Sequence, residues 1–140
     1  MAMVDMPKQD PWAKVEIEKI YVKDLSFETP STPHVFHEKL DPVVALQVSS
    51  VAKALRNNRH EVVLRLIVTA NLKDKTAFLV DVRQAGIFKI DGYDAAQLGT
   101  VIGSYCPRLL YPYAREVVSD LVRRGGFPQL LLESVDLDAL

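Results

Sequence analysis

The chain has 140 residues, 49% of them hydrophobic and 25% charged, and 17 Lys+Arg against 18 Asp+Glu leave a formal net charge of -1. That length suits one domain with its own core, and the near-neutral balance excludes a global field that would recruit nucleic acid or anionic lipid, so a charge-driven partner must use a local patch. The apolar runs stop well short of the ~20 residues of a membrane span and no signal-like segment opens the chain; with a single cysteine, Cys106, and so no internal disulfide, the expectation is a cytoplasmic protein without direct membrane insertion.

Residues 1–11 are short, polar and punctuated by Pro7 and Pro11, and read as a flexible tail; a single domain is expected over residues 12–140, ordered from Trp12 onward. Val15 and Ile17 alternate with Glu16 and Glu18, then Ile20 and Val22 take the opposite phase, which predicts a first strand with a bulge at Lys19. Thr29, Pro30, Ser31, Thr32 and Pro33 interrupt the pattern, so a long crossing loop is expected, bearing two exposed aromatics, Phe27 and Phe36. Val43 to Val51 reads as a second strand, with Asn57, Asn58 and Arg59 as the turn after it.

The third strand is clearer: Val62, Leu64, Leu66, Val68, Ala70 and Leu72 share one face, opposite Glu61, Val63, Arg65, Ile67, Thr69 and Asn71. Lys73, Asp74 and Lys75 make a turn into a fourth strand with Phe78, Val80 and Val82 on one face and Leu79, Asp81 and Arg83 on the other, so the two strands are expected to pair as a hairpin. Gly86 is expected to break that run, and Asp94 with Gln97 to cap the first helical piece.

Pro107 suits the first turn of a helix, Cys106 before it is biased away from the helical region, and a helix is expected to restart there. Leu110, Tyr113, Ala114, Val117 and Leu121 have the spacing of one helical face, with Pro112 inside the pattern as the expected kink. Arg123 and Arg124 complement the negative helix end, Gly125 is expected to supply the left-handed stop, and an apolar run from Phe127 to Leu132 follows. Strands before helices predict an α+β fold: a four-stranded antiparallel sheet with C-terminal helices packed on one face. A sheet apolar on one face and half-apolar on the other is not hidden by one broken helix, so self-association is expected.

Chemistry-bearing constellations are few. Cys106 near a helix N-terminus has the placement of a reactive thiol, but a small buried apolar residue is the better reading. His34 and His37 have the spacing of a metal pair without a third ligand nearby, and no glycine-rich phosphate loop occurs. No metal, no cofactor and no enzymatic activity are expected. Aromatics such as Phe27, Phe36 and Phe127 ordinarily fill a core.

Several ordered motifs change that reading. Lys23 to Glu28, Thr76 to Leu79, Gln84 to Phe88, Tyr105 to Glu116 and Gly125 to Gln129, spread from about Trp12 to Leu140, together resemble the SecB family of bacterial protein-export chaperones. The resemblance implies a SecB-like dimer of dimers with helices between two sheets, and an ATP-independent holdase that captures unfolded precursor proteins and delivers them to the SecA motor of the Sec translocase. It also implies a client groove with Phe27, Val35 and Phe36 on one side and Phe127, Leu130 and Leu132 on the other, a SecA-docking patch at Asp24, Glu28, Leu79 and Asp81, and an oligomer interface at Phe78, Val80 and Val82. The chain departs from the family in charge: relatives are strongly acidic, whereas Lys39, Lys53, Arg56, Arg59, Lys73 and Lys75 bring this sequence to near neutrality. An alternative is a SecB-like chaperone dedicated to one partner, such as an antitoxin.

Overall fold

A computed structural model describes residues 13–139; the expected tail at 1–11, Trp12 and Leu140 lie outside the described residues. Four strands, β1 (Lys14–Glu28), β2 (Val43–Ala54), β3 (Arg59–Asn71) and β4 (Thr76–Asp91), precede the helical segments α1 (Ala95–Thr100) and α2 (Cys106–Arg124). The sheet is antiparallel, as the pattern of strands before helices predicts, and its strand order is β1-β4-β3-β2. With β1 and β2 at opposite edges, the segment between them must cross the end of the sheet. It does so through a 3-10 turn at His34–His37 that drives Val35 fully into the core.

The hairpin of β3 and β4 forms with Val68 opposite Val80 and Leu66 opposite Val82. Because side chains alternate between the faces of a strand, this register collects Val62, Leu64, Leu66, Val68, Phe78, Val80, Val82 and Phe88 beneath the helix, all buried. Leu79, Asp81 and Arg83 point to the other face. Phe78, Val80 and Val82, expected at an oligomer interface, are 3%, 0% and 0% exposed within one chain. A face already dry has no area left to bury against a second copy, so these three residues are protomer core.

Sequence expectation and structure part in several places. β1 runs on to Glu28, with register shifts between Ile17 and Lys19 and between Val22 and Asp24, so Phe27 belongs to a strand and not to the crossing loop. β2 extends to Ala54. Gly86 does not break β4: it sits under α2, where an added Cβ would come within 2.8 Å of the Phe88 ring and 3.1 Å of Leu110, and close packing is the reason for a glycine in mid-strand.

Helical structure continues from Ala95 to Arg124 without restarting at Pro107. Asp94 caps it as expected, accepting from the Gln97 backbone N–H at 2.7 Å. A π-helical turn at Val101–Tyr105 lies just ahead of Pro107, which cannot donate to the carbonyl four residues back and whose ring would clash with it; a wider turn relieves that clash. The buried stripe of α2 is Leu110, Tyr111, Ala114, Val118 and Val122, one position round from the expected stripe, and Tyr113 is exposed. The left-handed stop is Gly126 (φ 88°), not Gly125 (φ -75°). Bonds from Phe127 N–H to the Val122 carbonyl and from Gly126 N–H to the Arg123 carbonyl make a Schellman cap around it.

Candidate functional site

The six residues expected at the client groove come from three segments, and of them only Phe127 and Leu130 line the cleft described below. Phe27 lies at the end of β1 opposite Val80, Val35 and Phe36 come from the crossing turn, and Phe127, Leu130 and Leu132 follow the Schellman cap. Ring contacts link three of them through Phe78: Phe27 to Phe78 at 6.2 Å between centroids, Phe78 to Phe127 at 5.0 Å and Phe127 to Phe36 at 5.4 Å, all tilted. Such tilted pairs lie in the favourable range for aromatic contacts. Burial divides the set. Val35, Phe127 and Leu132 are buried, Phe27 and Leu130 are partly covered, and Phe36 is 45% exposed at the end of the run.

Beside this run a mainly apolar cleft of about 230 Å³ opens between the start of β2 and the segment after α2, lined by Leu40, Pro42, Val44, Ala77, Phe78, Phe127, Pro128 and Leu130, with Gln129 its one polar side chain. Leu40, Pro42, Val44, Ala77 and Pro128 were not among the expected site residues. Pro42 stands at the entry of an edge strand, where a missing N–H is harmless, and that is the one local signal pointing to the cleft. The segment after α2 is fastened at its far end, where the Tyr111 hydroxyl donates to the Glu133 carbonyl at 2.5 Å and Arg108 pairs with Asp138 at 2.6 Å. Chemically the cleft offers apolar and aromatic surface with few fixed polar partners, which suits scattered apolar side chains without demanding a sequence.

The expected docking residues share the opposite face. Glu28 stands opposite Leu79 across β1 and β4, Ser26 opposite Asp81 and Asp24 opposite Arg83. Phe27 and Glu28, adjacent in sequence, therefore face the two different surfaces. Asp81 is already engaged: Arg65 grips it with two hydrogen bonds, at 3.0 and 2.7 Å, and that guanidinium holds its carboxyl below the usual value. Asp24 is more open, with Arg83 at 4.0 Å. On the same face Glu61 accepts from Lys23 at 2.7 Å and from the Tyr21 hydroxyl; these donors lower the Glu61 carboxyl, while burial, with Glu61 as second cause, pushes Tyr21 up to about 12.

Cys106 is fully buried and burial pushes its thiol up to about 12, so it is a core residue and not a nucleophile poised near neutrality. His34 and His37 lie exposed in the crossing turn, and no cluster of three ligating side chains occurs among the described residues. Among those residues no helix is long and apolar enough to cross a membrane.

An antiparallel sheet is thus backed by one long helix, with an aromatic cleft on the helix side and a charged face behind. The sequence profile described as preprotein translocase subunit SecB matches residues 8–140. The protein-export protein SecB of Nitrosococcus oceani is 56% identical over 135 residues, covering 95% of this chain and 82% of that one. That of Methylococcus capsulatus is 48% identical over 132 residues, covering 94% and 85%. Among solved structures, a SecB-like chaperone of Mycobacterium tuberculosis, in complex with a ChAD peptide from the HigA1 antitoxin, superposes with a TM-score of 0.72 at 19% identity, covering 86% of this chain and 90% of that one, a likeness of fold. The chain belongs to the SecB family.

Proposed function

We propose that this chain is a protein-export chaperone that holds unfolded precursor proteins in the aromatic cleft and passes them to the SecA motor, without ATP and without catalysis of its own. The observation that carries the reading is the gathering of Phe27, Phe78, Phe127 and Phe36 into one contact series that ends in an exposed ring beside an apolar cleft. Each client side chain that such a wall buries contributes on the order of 1 to 3 kcal/mol, so affinity arises from several weak contacts acting together.

The SecA-docking role belongs to Asp24, Glu28 and Leu79, with Asp81 held as a neutralised pair by Arg65. Client and motor then occupy opposite faces of the sheet and bind at once. Self-association to a homotetramer fits the uncovered apolar residues on the helix side of edge strand β1, Ile17 at 47%, Val22 at 40% and Leu25 at 43% exposed, together with Tyr113 on the outer side of α2. The working site is the cytoplasm, where precursors are still unfolded.

The test is a precursor-capture assay with a denatured export substrate, followed by addition of SecA. Capture without ATP and release or ternary-complex formation with SecA support the reading. Capture of folded proteins equally well, or no capture, overturns it. A chaperone serving a single partner would capture that partner and fail with a panel of unrelated precursors.

A further inference from the structure

We propose that the outer face of the sheet carries a second binding site, a cation-lined depression that takes a carboxylate-bearing peptide segment with a small apolar side chain beside the charge. The depression, of about 290 Å³, is bounded by Lys23, Arg65 and Arg83, with Ser49, Ser50, Val51 and Val63 completing it. Strand register builds it: Arg83, Arg65 and Ser49 form one row across β4, β3 and β2, and Val63 with Val51 forms the next row toward the Glu61 side.

No carboxylate is among its lining residues. The acids that fix the cations stand in flanking rows, Asp81 beside Arg65 and Glu61 beside Lys23, so two of the cations are held in place without being covered from the depression side. Arg83 is freer. Its nearest carboxylate, Asp24 directly opposite on β1, is 4.0 Å away, beyond hydrogen-bond range, and the Arg83 side chain is 44% exposed, so its planar fork is not taken up by a bidentate carboxylate. That fork matches a carboxylate in two parallel bonds.

The floor decides the class of ligand. Val63 is 6% exposed and Val51 68%, so an apolar surface lies next to the cations, a feature a bare hydrated anion does not use and a peptide side chain does. β2 is also an edge strand, and an extended segment lying along it would present alternate side chains to this face. An acidic segment of alternating charged and aliphatic residues is the occupant that satisfies the charge, the floor and the edge together.

The probe is a dye-labelled peptide alternating Glu and Val, read by fluorescence anisotropy against the full chain, with a Gln-for-Glu version as control. Saturable binding of the Glu peptide, none of the Gln peptide, and weakening as ionic strength rises are expected. Arg83→Gln should raise the dissociation constant about five-fold or more and Arg83→Lys less, since Lys keeps the charge but not the fork. Ser49→Asp, at an exposed position in the same row two strands from Arg83, should weaken binding by repulsion. Capture of an unfolded precursor by Arg83→Gln should match the parent, because the cleft lies on the other face. The proposal falls if Arg83→Gln and Ser49→Asp bind the peptide as the parent does, if the Gln peptide binds equally, or if millimolar inorganic phosphate displaces the peptide completely, which would make this a plain anion site.

Discussion

The edge of the Phe27 ring rests on the backbone of Gly125: a Cβ built at Gly125 would lie 2.4 Å from Phe27 Cζ and 2.5 Å from Cε2. The end of β1 and the end of α2 are thus brought closer than any side chain at residue 125 permits, and the neighbouring Gly126 offers Phe36 the same flat seat, with a Cβ 3.1 Å from its Cζ.

Gly125→Ala is accordingly expected to push Phe27 off its seat at an overpacking cost of about 1 to 3 kcal/mol. Gly126→Ala adds backbone strain, because φ there is 88°, at a cost of roughly 1 kcal/mol or more. Denaturant midpoints of both variants check this, and a Gly125→Ala midpoint equal to the parent would mean that the aromatic series does not depend on that contact.

The groove aromatics should separate by burial. Phe36, 45% exposed, is expected on replacement by Ser to weaken capture of an unfolded precursor while the thermal midpoint barely moves. Phe127, 5% exposed and packed on Phe78, should cost about 3 to 5 kcal/mol when truncated, so its loss acts on folding as well as on binding. Parallel melting and capture curves on the two single variants distinguish them; equal destabilisation would contradict this division.

Assembly should answer to the edge strand. Light scattering is expected to give about four times the 15.7 kDa chain mass, and Leu25→Lys, at an exposed site on the helix side of β1, should yield smaller species that stay folded by circular dichroism. Val80→Lys, at a fully buried site, should instead unfold the protomer, since an unpaired buried charge costs several kcal/mol. A Leu25→Lys tetramer would place the interface elsewhere.

Stability should be flanked by an acid and an alkaline limb. Asp81, Glu61 and Asp120 have carboxyls lowered by hydrogen bonds from Arg65, from Lys23 and Tyr21, and from Arg123 and Arg124. A lowered folded-state value means that the stabilisation is present above the unfolded carboxylate range of roughly 3.9 to 4.3 and is lost as pH falls through and below it. Tyr21 and Cys106 are both raised to about 12. Their contribution is therefore complete below the unfolded values, roughly 8.5 for a thiol and 10 for a phenol, and is lost as pH rises toward 12. Urea midpoints across pH should show both limbs, with the alkaline one shallower in Tyr21→Phe. Cys106 should also resist alkylation in the native protein at neutral pH and react once the protein is unfolded; rapid native labelling would reopen the reading of Cys106 as a nucleophile.

Alternation at Val62 to Leu72 and at Phe78 to Arg83 determined the β3–β4 hairpin and its buried face, because a period of two is a local property that each residue states for itself. The Asp94 cap was legible for the same reason, as one side chain reaching one backbone N–H. The expectation of a groove at Phe27, Phe36 and Phe127 rests on motif resemblance alone, since no local pattern distinguishes a core phenylalanine from one at a cleft. Where tertiary contacts compete with local preference, the structure decided. β4 runs through Gly86 because α2 packs upon that glycine, the helix passes Pro107 by widening one turn, and β1 extends to Phe27 because β4 supplies a partner as far as Leu79. The cleft lining of Leu40, Pro42, Val44, Ala77 and Pro128 and the row of Arg83, Arg65 and Ser49 exist only after distant segments meet. Their spacing in the chain carries no signal, because strand order and register, not sequence separation, bring them within reach of one another.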